Sequence, residues 1–347
     1  RRVLFRSHSR YFKPDEIAVM FYHQFILKAP TWECQDLSEL GKQGNGYLQA
    51  SGLIAINPET LVIMNKLENN FQYGHKSAML LNLRHYCDIA GVDLNSIVPE
   101  SYYIDSQSSP GLQRFERNAS QGIWLIKPAE NTFGGAGIQI ENSPALALAK
   151  VKSLFKETHA YPPKYILQKY IEKPLLFQGR KFDIRALCLI TSIQGNFKLY
   201  WYPEGYIRTS SSQYSVDNLG DLGAHLTNDC YQKKTAEYGK FEAANKVLYS
   251  RFFKVMEFQH GHKIPQIITD ANLNQANTLF ECVDQQMKRI AVHLVKAACW
   301  KADPKRRKAT FELVGLDFML DQDFSVKLIE ANNSPSLSHS ENPEMNR

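Results

Sequence analysis

Cysteine is scarce in this chain and never clustered. The six cysteines among 347 residues (Cys34, Cys87, Cys188, Cys230, Cys282 and Cys299) stand far apart, and no C-x-x-C occurs. Such spacing supports neither a zinc site nor a disulfide framework, and it fits a reducing compartment. No apolar run approaches the roughly 18 residues of a membrane span, so no membrane partner is expected. No internal repeat is present. Basic patches interleaved with aromatics, which single-stranded nucleic acids require, are also missing, so no nucleic acid partner is expected. The net charge of +6 is modest, and the only dense basic run is Lys-Arg-Arg-Lys at residues 305–308, beside Pro304. That run reads either as a solvated loop or as a docking patch for an acidic polymer. Residues 1–10 are basic and acid-free and read as the cut edge of a domain in a fragment, rather than as a transit peptide.

Hydrophobic residues make up 44% of the chain and aromatics 12%, enough for a substantial core in two or three domains. The most informative stretch runs from Gly315 to Asn332. It reads as two strands joined by a polar turn at Asp321, Gln322 and Asp323. Each strand carries one acid where the apolar run would otherwise continue, Asp317 and Glu330. Asn332 follows on the same face as Glu330. Two carboxylates and an amide oxygen form a hard-oxygen set that suits Mg²⁺ with substrate phosphates, whereas a plain hairpin with solvent-facing acids is the simpler alternative. Opposing Asp317 to Glu330 requires a loop of about five or six residues, not a two-residue turn.

Upstream, the spacing predicts a helix from about Lys76 to Ala90 with Leu80, Leu83 and Tyr86 or Cys87 on one stripe. Ile123 to Lys127 reads as a buried strand ending in a lysine. The loop that follows carries Gly134, Gly135 and Gly137, and a second strand begins at Ile138. Glycines let backbone N–H groups approach an anion closely, and Lys127 adds a point charge. The hairpin is not a P-loop, since no G-K-[ST] is present and a strand follows. Ser143 and Pro144 open a helix as N-cap and N1, running to about Thr158. Tyr165 to Ile171 is a strand turning at Pro174, whose backbone edge suits pairing with an adenine. In Lys181-Phe-Asp-Ile-Arg185 the three charged residues share one strand face, which is costly unless they face a filled cleft. Arg208 ends a later strand as a second guanidinium. His225, Thr227 and Asn228 are dense in hydrogen-bonding groups and suit either a structural or a site role. Long helices are expected from about Phe241 to Gln259 and from about Asn274 to Trp300. The second of these buries Val283, Met287, Ile290, Leu294, Ala297 and Ala298.

Taken in order, these segments resemble the tubulin–tyrosine ligase-like family. The resemblance rests on the K-P and glycine loop at 127–138, Q-K-Y-I-E-K-P-L-L at 168–176, R-K-F-D-I-R at 180–185 and E-G-Y-I-R at 204–208. H-L-T-N-D-C-Y-Q-K at 225–233, G-L-D-F-M at 315–319 and L-I-E-A-N at 328–332 complete it. It covers roughly residues 65–338. It implies an α/β (α+β) ATP-grasp fold with antiparallel sheets and the nucleotide bound between central and C-terminal domains. The implied boundaries are an N-terminal α/β domain at 1–66, a central domain at 67–171, a C-terminal domain at 172–338 and a loose tail at 339–347.

The same resemblance implies residue roles. Lys127 and Lys181 would contact ATP phosphates, and Gly134, Gly135 and Gly137 would fold over them. Gln168, Lys169, Tyr170 and Ile171 would line the adenine pocket. Asp183 would position the ribose or the site's cations. Arg185 and Arg208 would hold the γ-phosphate or acyl-phosphate and the incoming substrate. His225, Thr227 and Asn228 would shape the nucleotide and amino-acid end, and Asp317, Glu330 and Asn332 would hold Mg²⁺. Family members usually carry a basic residue just before the first loop glycine, where this chain has Phe133. The implied activity is an ATP- and Mg²⁺-dependent ligase that joins a free amino acid (Tyr, Glu or Gly) to the acidic C-terminal tail of tubulin. It would act as a monomer in the cytoplasm, on the cytoskeleton or cilium. The runs at 228–233 and 238–242 lean toward the tyrosine-ligase branch. The alternatives are an ATP-grasp ligase with another protein acceptor and a non-catalytic microtubule-binding chain.

Overall fold

The computed structural model of the chain describes residues 17–20, 61–130, 135–157, 162–307, 309–333 and 335. In chain order the strands are β1 (Ile17–Met20), β2 (Leu61–Met64), β3 (Ser101–Ile104), β4 (Trp124–Pro128), β5 (Gln139–Glu141), β6 (Tyr165–Lys169), β7 (Leu176–Phe177), β8 (Arg180–Ile193), β9 (Asn196–Trp201), β10 (Tyr206–Thr209), β11 (Lys246–Leu248), β12 (Thr310–Leu320) and β13 (Val326–Asn333). The longer helices are α1 (Lys76–Ala90), α2 (Pro110–Asn118), α3 (Pro144–Leu154), α4 (Tyr249–His260), α5 (Ile264–Asp270) and α6 (Leu279–Ala302).

The strands form two sheets. The larger runs β1-β2-β12-β8-β10-β11, with β13 on β12 and β7 and β9 on β8. Its pairs are antiparallel except β1 with β2 and β2 with β12. The smaller runs β3-β6-β4-β5 and is antiparallel throughout. The chain is therefore mixed α/β with mainly antiparallel sheets.

One core joins Phe182 and Ile184 of β8, Leu316 and Phe318 of β12, the apolar stripe of α6, and Leu80, Leu83 and Cys87 of α1. The helix stripes expected from 3.6-residue spacing are thus the faces that pack. The described strands of residues 1–66, β1 and β2, extend this large sheet. The small sheet closes with α2 and α3 on a core of its own, around Trp124, Phe115, Leu167 and Val151. Phe115 meets Trp124 edge to face at 4.8 Å.

Local chemistry sets the helix ends. Ser143 caps α3 through its hydroxyl, with Pro144 at N1, but the helix stops at Leu154, short of Thr158. Helix α6 starts at Leu279 instead of Asn274, because the Thr278 hydroxyl accepts from Glu281 N–H at 3.1 Å while the Glu281 carboxylate accepts from Asn277 N–H at 2.6 Å. The helix expected from Phe241 also begins later, at Tyr249. Ala244 and Asn245 hold φ of 54° and 51°, which ends any helix there. Residues 246–248 pair instead with β10.

Candidate functional site

The charged residues of the large sheet meet because antiparallel pairing places opposite residues on one face. Glu330 lies opposite Asp317, Asp317 opposite Arg185, and Asp183 opposite Arg208. Along β8, Phe182 and Ile184 point into the core while Lys181, Asp183 and Arg185 take the other face. On β13 simple alternation would put Leu328 and Glu330 on one side. A bulge at Ile329 prevents this, since Asp317 pairs with Glu330 while Phe318 pairs with Leu328. Leu328 therefore packs in the core and Glu330 turns to the cavity. The loop between the strands is residues 321–325, held by the Asp321 carboxylate accepting from the N–H groups of Asp323 at 3.0 Å and Ser325 at 2.9 Å.

Asp317 is the centre of an ion network. Arg185 donates to it through both Nε and Nη2, the latter at 2.9 Å. Arg208 reaches Asp317 through Nη2 at 2.6 Å and Asp183 through Nε at 2.6 Å. The Thr227 hydroxyl donates to the other oxygen of Asp183. Burial pushes the Asp317 carboxyl up, but Arg208 and Arg185 outweigh it and hold the group well below the usual carboxylate range. Glu330 behaves oppositely. Burial and the charge of Asp317 raise its pKa, and Lys76, with Nζ at 4.0 Å, offsets this only in part.

Lys127 and Lys181 enter the cavity from the two sheets. Lys127 Nζ donates to Gln168 Oε1 at 2.5 Å, and Lys181 Nζ donates to the His225 carbonyl at 2.7 Å. Burial lowers Lys127 to about 8, and burial with the charge of Lys127 lowers Lys181 to about 7. Lys127, Lys181, Asp183, Arg185, Arg208 and Asp317 are each at most 8% exposed. Burying so many charges is costly unless each gains a partner. With Glu330 and its partner Lys76 counted in, five cations face three carboxylates here. The excess of positive charge would suit a further anion.

The cavity, about 220 Å³, lies between the sheets. Of the residues singled out in the sequence, Lys127, Gly135, Gln168, Lys169, Tyr170, Ile171, Lys181, Asp183, Arg208, His225, Thr227, Asn228, Asp317, Glu330 and Asn332 all line it. Arg185 stands behind Asp317, bound to it edge-on. Gly135 holds φ of +82°, and a Cβ there would sit 3.2 Å from Leu226 Cδ1 and 3.3 Å from Asn228 Oδ1, so glycine is required where the loop closes on the cavity. Gly137, at φ +75°, abuts Pro128. Gly134 and Phe133 lie outside the described residues.

Asp317, Glu330 and Asn332 fit a divalent cation. Asn332 Nδ2 lies 3.3 Å from both Asp317 Oδ2 and Glu330 Oε1, taking the place of a cation between two acids. Rotating the amide presents Oδ1 instead and completes an all-oxygen set. Among the described residues no group of three or more from His, Cys, Asp and Glu could hold a metal ion.

Sequence reasoning missed Lys76 and His75 at the start of α1 and the apolar walls Leu125, Ile138, Leu226 and Met319. Lys76 looks like any lysine opening a helix, and the apolar residues look like strand core. The basic run sits far from this cavity, at the other end of β12. Lys305 pairs with Glu68 at 3.1 Å, with Arg307 at 3.8 Å from the same carboxylate, and Lys308 lies outside the described residues.

Among the described residues no helix is long and apolar enough to cross a membrane. The model of the Tubulin-tyrosine ligase family matches residues 54–346. Tubulin glycylase 3A of Drosophila melanogaster is 32% identical over 224 residues, 65% of this chain and 21% of that protein. Inactive polyglycylase TTLL10 of Homo sapiens is 29% identical over 259 residues, 70% of this chain and 35% of that protein. Probable tubulin polyglutamylase ttll-9 of Caenorhabditis elegans is 26% identical over 279 residues, 78% of this chain and 61% of that protein. The chain thus spans about a fifth to three fifths of these relatives. With the family's match running through both sheets and the cavity between them, the chain belongs to the tubulin-tyrosine ligase family.

Proposed function

We propose that the cavity binds ATP with Mg²⁺ in an ATP-grasp arrangement, and that the chain carries the ligase core that joins an amino acid to the C-terminal tail of tubulin. The observation that carries this reading is the convergence of Lys127, Lys181 and Arg208 with Asp317, Glu330 and Asn332 in one buried cavity. A polyphosphate would satisfy the lysines, and Asp317, Glu330 and Asn332 would hold Mg²⁺, which when bound neutralises phosphate charge. Phosphoryl transfer asks mainly for positioning and charge neutralisation, and no enzyme nucleophile is needed. The substrate carboxylate attacks the γ-phosphorus and the bond to the bridging oxygen breaks, giving an acyl-phosphate and ADP. The incoming amine then displaces phosphate and loses a proton. Lys127, Lys181 and Arg208 hold the charge that develops, and Arg185 keeps Asp317 in place. The names of the relatives support glycine or glutamate over tyrosine as the added amino acid. Glu242, in the run that leaned toward tyrosine, is engaged with Arg180 inside the fold at 2.9 Å.

The test is incorporation of labelled Tyr, Glu and Gly into tubulin with Mg-ATP, wild type beside Glu330→Gln. One amino acid incorporated by the wild type and lost in the variant is expected. ATP binding without incorporation would point to another acceptor or to a non-catalytic microtubule-binding chain.

A further inference from the structure

We propose that Gln232 is a positioning residue of the site: from outside the cavity it fixes the backbone of residues 223–226 and, through the His225 carbonyl, the aim of the Lys181 ammonium. The inference rests on the nucleotide reading above and extends that site beyond the residues that line it.

Gln232 is 0% exposed and is not among the residues that line the cavity, so it touches no ligand there. Its amide is nonetheless spent on the backbone of two separate segments. Nε2 donates to the Gly223 carbonyl at 3.0 Å and to the Leu226 carbonyl. Oε1 accepts from the Ser211 N–H at 2.8 Å. Two carbonyls on one side and an N–H on the other permit only this orientation of the amide. Behind it, Asn245 Nδ2 donates to the Thr209 carbonyl at 3.0 Å and to Ser211 Oγ at 2.9 Å, which steadies the Ser211 end.

The tie reaches the site because Leu226 is extended, at φ −104° and ψ 123°. The carbonyls of His225 and Leu226 therefore point to opposite sides. Leu226 O meets Gln232, and His225 O accepts from Lys181 Nζ at 2.7 Å. Just beyond, the Thr227 hydroxyl donates to Asp183, and Asn228 lines the cavity. At the other end of the tie, the Ser210 N–H donates to the Lys181 carbonyl at 2.8 Å. A closed circuit thus runs from the Lys181 backbone through Ser210, Ser211, Gln232, Leu226 and His225 to the Lys181 ammonium. Without the Gln232 amide, two buried carbonyls and one N–H lose their partner. Residues 223–226 must turn to recover them, which takes the His225 carbonyl off Lys181.

Positioning through Lys181 and plain structural support differ in whether the effect survives the loss of Lys181. Affinities of Mg-ATP and inorganic triphosphate would be measured by calorimetry, with Tm alongside, for wild type, Gln232→Met, Lys181→Met, the double variant and Thr235→Val. Thr235→Val is the control: its hydroxyl lies 2.8 Å from Ser211 Oγ and 2.7 Å from the Gln232 carbonyl, in the same cluster but off the 223 and 226 carbonyls. Gln232→Met should weaken both ligands about tenfold, one directed hydrogen bond's worth. Thr235→Val should lower Tm and leave both affinities unchanged. In the Lys181→Met background, Gln232→Met should cost less than about twofold more. A full tenfold loss in that background would overturn the proposal, as would weakening by Thr235→Val equal to that by Gln232→Met. Should Gln232→Met not fold, Gln232→Asn keeps the amide but withdraws it by one methylene, and the same pattern is expected. If that variant also fails to fold, Gln232 is a structural residue and the proposal falls. Triphosphate bound by the wild type without ATP would sink the nucleotide reading alone, since the triphosphate cycle still decides the role of Gln232. If the wild type binds neither, both fall.

Discussion

Neutralising the two acids of the β12–β13 hairpin should have opposite effects on stability and the same effect on turnover. Asp317→Asn removes a buried carboxylate that satisfies Arg185 at two points and Arg208 at 2.6 Å. Arg208 keeps Asp183, but Arg185 loses its carboxylate partner inside the protein. Breaking a buried pair in this way costs about 3 kcal/mol or more, a large part of the roughly 5–15 kcal/mol that holds a fold. At roughly 2–4 °C per kcal/mol, Tm should fall by about 6–12 °C. Glu330→Gln is a different case. The folded pKa of Glu330 is raised by burial and by Asp317. A raised carboxyl contributes stability only below its unfolded pKa, and that contribution is lost as pH rises through the folded value, so at neutral pH the ionised group is a cost. Glutamine removes that cost while keeping the shape, so Tm should hold or rise. Both variants should lose Mg-ATP-dependent turnover. Differential scanning fluorimetry on the free proteins, followed by the incorporation assay, reads both quantities. A fall in Tm for Glu330→Gln as large as for Asp317→Asn would make Glu330 a structural acid. Retained turnover in Glu330→Gln would remove it from the cation site.

Nucleotide binding should depend on pH through Lys181, lowered to about 7, and Lys127, lowered to about 8. Phosphates raise both values, so binding takes up protons. Affinity should be full below about pH 7 and fall as pH rises beyond it, which calorimetry in buffers of different ionisation heat would detect as proton uptake. Gly135→Ala forces φ of +82° on a residue with a Cβ and crowds Leu226 and Asn228. It should cost about 1–3 kcal/mol locally, seen as weaker ATP binding with little change in the unfolding of the large core. Arg180 and Glu242 form a salt bridge at 2.5 Å with side chains 1% and 2% exposed, and the carboxylate also accepts from Thr209 at 2.9 Å. Arg180→Ala should destabilise the protein by about 3–5 kcal/mol in urea unfolding, and a loss under 1 kcal/mol would show the pair to be dispensable.

Much of the local architecture was legible because it depends on neighbours in the chain. The stripe of α6, the Ser143–Pro144 start of α3, and the alternation in Lys181-Phe-Asp-Ile-Arg185 follow from periods of 3.6 and 2 and from capping. The opposition of Asp317 to Glu330 followed from their acids interrupting apolar strands around a loop of about five residues. Where the reading slipped, a local conformation without a composition signal intervened. Left-handed Ala244 and Asn245 ended a periodic pattern that otherwise extends back to Phe241, and the Thr278 cap moved the start of α6.

What the sequence by itself determined is which side chains are available and which face of each strand they occupy, since strand alternation and helix periodicity are properties of consecutive residues. What only the tertiary structure decided is which of those faces meet. Lys127 of the small sheet comes beside Lys181 of the large one through the packing of two separate cores. Lys76 reaches Glu330 because α1 docks beside β13. The bulge at Ile329 turns Glu330 away from the core that Leu328 enters. Gln168 and His225 face inward because Ser101 and Asn218, 67 and 7 residues away, supply their partners. Such partners are set by the free energy of burying whole surfaces together, a sum over distant parts of the chain that no window of neighbouring residues contains.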